Sequence, residues 1–111
     1  MQHQIEMGND ETTFEFVIAE ASRDTLRLVH AQVIETVRTE AYLQFARELT
    51  HAFHALQGVA RLQNEAGRVI LTISFERGRV EVETAWGQRM NRFKTDQSYL
   101  TRTVGQIGIV E

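Results

Sequence analysis

The chain has 111 residues, 42% of them hydrophobic, a net charge of −3 from 12 basic and 15 acidic side chains, and no cysteine. That length suits one domain around one core, residues 1–111; the charge lacks the basic excess a nucleic-acid partner favours, and disulfides and thiolate metal sites are excluded. No segment approaches the roughly 20 apolar residues of a membrane span, and the opening MQHQIEMGNDE has neither a basic start nor an apolar run, so no secretory signal and a cytoplasmic location are expected.

Residues 1–11 are polar and read as a flexible arm, with Glu6, Asp10, Glu11 and Glu15 forming an acidic cluster. Phe14, Phe16 and Ile18 then alternate with Glu15, Val17 and Ala19, a strand pattern. A turn at residues 21–24 leads into one long strand over residues 25–37. Val29, Ala31, Val33 and Val37 share a face there, while Leu26 and Leu28 take the other, so a bulge or face switch is expected.

The clearest helix follows. Thr39 can cap its start. Tyr42, Phe45, Ala46, Leu49, Phe53 and Leu56 recur at helical spacing, and Gly58 suits the position just past its end. Gln44, Arg47, Glu48 and His51 fall on the opposite face, so one side of the helix covers a core.

Residues 59–95 read as a four-stranded meander. A turn at Ala66-Gly67 sets Leu62 opposite Leu71 and Ala60 opposite Ile73. A turn at Arg77-Gly78 sets Phe75 opposite Val80, Ile73 opposite Val82 and Leu71 opposite Thr84. A third turn at Gly87-Gln88 sets Val82 opposite Phe93. It also sets Glu83 opposite Arg92 and Glu81 opposite Lys94, opposite charges at facing positions. A slip of one residue would bury those charges, so the three registers support one another. The open face carries the rows Arg61–Thr72–Glu83–Arg92 and Val59–Ser74–Glu81–Lys94, with a more apolar row Gln63–Ile70–Ala85–Met90.

At Thr95-Asp96 the period changes from two to 3.6. Asp96 suits an N-cap, and Tyr99, Leu100, Thr103, Val104 and Ile107 form the inner stripe of a short helix. The expected fold is α+β in two layers: an antiparallel sheet, in the order β-β-α-β-β-β-β-α, with helices packed on one face. The expected core is Phe14, Phe16, Phe45, Leu49, Phe53, Leu62, Leu71, Ile73, Phe75, Val80, Val82, Phe93, Tyr99 and Leu100.

No nucleophile or acid–base pair stands in a catalytic context, so the chain is not expected to be an enzyme and implies no cofactor. Glu48, His51 and His54 have a spacing that can bind a metal. However, His54 lies about 60° further round the helix than His51, and a solvated face is the plainer reading, with no metal expected. Glu81 and Glu83 are paired carboxylates, but beside Arg92 and Lys94 they read as a salt-bridged surface rather than a tuned acid. Trp86, at a strand end, reads as a cap on the core edge or as an interface anchor. An apolar strip rimmed by charge suits protein recognition, so Glu81, Glu83, Trp86, Met90, Arg92 and Lys94 are the candidate contacts.

With these elements placed, the chain resembles the WapI-type immunity proteins of bacterial polymorphic toxin systems and a related family of uncharacterised bacterial proteins. The resemblance covers residues 43–107. It rests on Leu43, Phe45, Ala46 and Leu49 of the helix, then Leu56-x-Gly-Val-Ala-x-Leu and Arg68-Val-Ile-Leu-Thr-Ile-Ser-Phe. It continues through Gly78-Arg-Val-Glu-Val to Phe93-Lys-Thr-Asp-Gln-Ser-Tyr-Leu, the distinctive block. It implies a protein partner, a toxin domain neutralised by binding, and no catalysis. A structural or regulatory homo-oligomer, such as a homodimer, pairing through an exposed sheet edge or face is the alternative, and a small-ligand-binding domain with a pocket near Thr84 and Asn91 a further one.

Overall fold

The computed structural model describes residues 3–107. In chain order these form β1 (His3–Gly8), β2 (Thr13–Ala21), β3 (Thr25–His30), β4 (Val33–Arg38), α1 (Thr39–Ala55) and β5 (Gln57–Gln63). After them come β6 (Val69–Glu76), β7 (Arg79–Trp86), β8 (Arg89–Asp96), a 3-10 turn (Gln97–Leu100) and α2 (Thr101–Ile107). The fold is α+β, but its strands make two antiparallel four-stranded sheets, β1-β2-β3-β4 and β5-β6-β7-β8, in place of one sheet with helices on one face.

Two differences in the first half account for the extra sheet. The expected arm contains β1, which pairs with β2 from His3 opposite Ile18 to Gly8 opposite Thr13; its first two residues lie outside the described residues. Ile5 and Met7 alternate with polar neighbours and are buried. The expected long strand is a hairpin. Ala31 and Gln32 both take positive φ, 49° and 70°, the geometry of a type I′ turn. A two-residue turn shifts the inward phase from even to odd numbers. Leu26 and Leu28 therefore share the core with Glu35 and Val37, and the conflicting faces of the single-strand reading disappear.

The second meander keeps the expected pairings: Leu62 with Leu71, Ile73 with Val82, Val82 with Phe93, Glu83 with Arg92 and Glu81 with Lys94. Its first turn is longer than two residues. Gln63 pairs with Val69, and Ile70 is the extra residue of a bulge. A bulge lets neighbouring side chains share one side of a strand, and Ile70 and Leu71 are both fully buried. Ile70 therefore leaves the expected outer row and joins the core.

The helix also differs at its ends. It starts at Thr39 without a side-chain cap, and Leu56, with φ of 60°, terminates it. Gly58 already belongs to β5. The stripe Tyr42, Phe45, Ala46, Leu49 and Ala52 is buried, and Phe53 is only partly so. α1 lies chiefly along β5, and α2 lies along β1. Asp96 does cap the final turn, accepting from Ser98 N at 3.0 Å. Tyr99 is 41% exposed rather than core; its hydroxyl donates to Asp10 at 2.5 Å, a bond that raises its pKa.

One core joins both sheets and both helices. Its weak point is Tyr42, whose buried hydroxyl has no partner among the described residues. Burial pushes that phenol's pKa well above the ordinary 10. The folded chain then holds the proton more tightly than the unfolded chain, so stability is full below about pH 10 and falls as pH rises beyond it. Tyr42→Phe should remove this alkaline loss and add up to about 1 kcal/mol at neutral pH, by deleting an unmet polar group. Urea midpoints at about pH 8 and about pH 11 would show both effects; equal alkaline losses in the two proteins would clear Tyr42 of the role.

Candidate functional site

The outer face of β6, β7 and β8 is set by strand alternation. Ile73, Val82 and Phe93 point into the core, so Thr72, Ser74, Glu81, Glu83, Arg92 and Lys94 point away from it. Arg92 holds this face together. Its Nη2 lies 3.3 Å from Glu83, with which it pairs across the ladder, and its Nε lies 3.8 Å from Glu81. Lys94 is opposite Glu81 in the ladder, yet among the described residues it makes no ion pair. Met90 extends beyond this grid and is 84% exposed. A shallow groove of about 530 Å³ runs past Thr72, Glu83, Ala85, Met90, Asn91 and Arg92.

Five of the six expected contact residues share this surface. Trp86 does not. It follows Val80, Val82 and Thr84 in the inward phase of β7 and is 2% exposed. Its indole stacks on Phe16 at a centroid distance of 5.3 Å, meets Phe14 edge-on at 5.6 Å, and donates Nε1–H to Val33 O at 3.0 Å. Trp86 is thus a bolt between the two sheets and offers nothing to a partner.

Beside it lies a polar cluster that the sequence did not flag. Glu35 is buried, and its carboxylate accepts from Asn64 Nδ2 at 3.1 Å, Arg68 Nη2 at 2.7 Å and Gly87 N at 2.8 Å. Arg68 also donates Nη1–H to Ala85 O at 2.7 Å. These bonds tie β4 to the β5–β6 and β7–β8 turns, at one end of the second meander. The signal for Glu35 was its inward phase between Val33 and Val37, legible only once the Ala31-Gln32 turn is known.

The other candidates resolve into structural roles. Glu48 accepts from Arg61 N at 3.2 Å and from Gln44 at 3.3 Å, capping an outward-facing backbone amide of β5. His54 packs edge-on against Phe53 at 5.3 Å, and among the described residues no three metal-ligating side chains converge. In the acidic N-terminal cluster, Glu6 pairs with Arg102 at 2.9 Å and Asp10 with Tyr99. Thr84 is buried, whereas Asn91 is exposed and turns Oδ1 back to Arg92 N at 2.9 Å.

No family model, curated protein or solved structure matches this chain.

Proposed function

We propose that this chain is a non-enzymatic protein-binding module, an immunity-like inhibitor that occludes a toxin domain with the outer face of β6–β8. The observation that carries the reading is that face itself: a groove beside Met90, which is 84% exposed, bordered by a fixed grid of Glu81, Glu83 and Arg92. An exposed methionine is apolar and adaptable, and charges around an apolar centre set specificity and orientation. The resemblance over residues 43–107 supports a toxin domain as the partner. No helix of the described residues is long and apolar enough to cross a membrane.

Reversing Glu81 and Glu83 together to lysine tests the reading. The ion pairs involve an Arg92 side chain that is 64% exposed, so their loss costs little; with the new like charges opposite Arg92 and Lys94, folding should lose about 1–2 kcal/mol. Where a neighbouring gene encodes a toxin domain, co-expression with it should then show lost growth rescue by the double variant, with the parent chain rescuing fully. Rescue by both proteins would remove this face from the function, and no rescue by the parent chain would overturn the immunity reading itself.

A further inference from the structure

We propose that the outer edge of β8, from Met90 to Lys94, takes up an acidic extended segment of a partner protein as an added β-strand. This rests on the protein-binding reading above and names the kind of segment bound. The other sheet edges are engaged by neighbouring elements. β1 is covered by α2: Glu6 N donates to Gln106 Oε1 at 2.8 Å, and Thr103 Oγ1 donates to Glu6 O at 2.6 Å. β5 lies along α1, where Glu48 caps Arg61 N. β4 receives Glu65 N at Thr36 O, at 2.8 Å.

Among the described residues β8 pairs in a ladder with β7 alone, and the β1–β2 turn meets its far end, where Thr95 Oγ1 donates to Gly8 O at 2.7 Å. The two-residue turn at Gly87-Gln88 makes Trp86 and Arg89 the first bonded pair, which aims the amides and carbonyls of Met90, Arg92 and Lys94 away from β7. Two side-chain bonds agree with that direction. Asn9 Nδ2 donates to Lys94 O at 2.6 Å, and Arg92 N donates to its neighbour Asn91. Met90 N and O, Arg92 O and Lys94 N have no partner among the described residues. An added strand gains affinity from such main-chain groups and specificity from side-chain contacts.

Charge decides which strand fits. Residues 89–95 include Arg89, Arg92 and Lys94 and no acid. A second copy of this chain would bring these cations against their counterparts along the seam, which opposes pairing. An acidic segment reverses the sign, and among the described residues Lys94 has no ion pair of its own to give up. Alternate residues of the added strand would lie beside Met90, at the mouth of the groove.

The test uses two short capped peptides, one alternating valine with glutamate and one alternating valine with lysine, titrated into the isotopically labelled full chain. The valine–glutamate peptide should slow hydrogen exchange at the Met90 and Lys94 amides, and the valine–lysine peptide should not. Met90→Pro removes an outward donor without breaking a ladder bond and should abolish the protection. Arg89→Glu with Lys94→Glu should weaken acidic-peptide binding about tenfold or more, and it keeps the test open if the proline variant fails to fold. Equal binding of the two peptides, no protection by either, or protection that grows with protein concentration alone would each overturn the proposal. A toxin domain that perturbs Thr72 and Ser74 while leaving the Met90 amide unprotected would also overturn it, with the binding face retained.

Discussion

Replacing Trp86 with alanine should lower the unfolding free energy by about 4 kcal/mol, the upper range for emptying an aromatic site in a core. The indole is 2% exposed and lies against Phe14 and Phe16 of the other sheet. Neighbours drawn from two separate sheets cannot close around the void without moving both, so little of the cavity relaxes. The Val33 carbonyl also loses its indole donor. Trp86→Phe should cost less, about 1–2 kcal/mol, since most of the ring contact survives and one hydrogen bond goes. Urea unfolding of the two variants measures both values. A loss below about 1 kcal/mol for the alanine variant would show that the sheets are joined elsewhere.

The second large effect is at Glu35. Glu35→Ala should cost about 3 kcal/mol, because Asn64 Nδ2, Arg68 Nη2 and Gly87 N all lose their acceptor together. Arg68→Ala should cost less, about 1–2 kcal/mol, because its side chain is 44% exposed and the carboxylate keeps two other donors. Denaturation of the single and double variants gives the coupling between them. About 1 kcal/mol or more of coupling is expected for groups in one network. Strict additivity would mean that the ion pair is incidental to the cluster.

The second meander was legible in its strands and in most of its pairings, missing only the bulge at Ile70 beside a longer first turn, and the first was not, for one physical reason. Gly67, Gly78 and Gly87 mark turns where positive φ is needed, and opposite charges across β7 and β8 pin the register. The turn at Ala31-Gln32 puts non-glycine residues into the same left-handed region, where a Cβ is disfavoured, so nothing in those letters announced it. Missing that turn hid β4 and reversed the phase of Glu35. β1 was obscured by its polar residues, although Ile5 and Met7 alternate as a strand requires. On the candidate site, Glu81, Glu83, Arg92 and Lys94 fell where the register put them. The inward phase of Val80, Val82 and Thr84 already carried Trp86 into the core, and an aromatic at a strand end could be set outside only by disregarding that parity.

The covering of β1 by α2 has a consequence for biosynthesis. The bonds that close that edge span 100 and 97 residues of sequence. During translation β1 and β2 leave the ribosome long before α2 exists, so their hairpin must wait with one margin bare. Contacts of such wide separation are slow to form. The nascent chain is therefore most vulnerable to mispairing at β1 until α2 docks, and early termination near residue 100 would leave that vulnerability permanent.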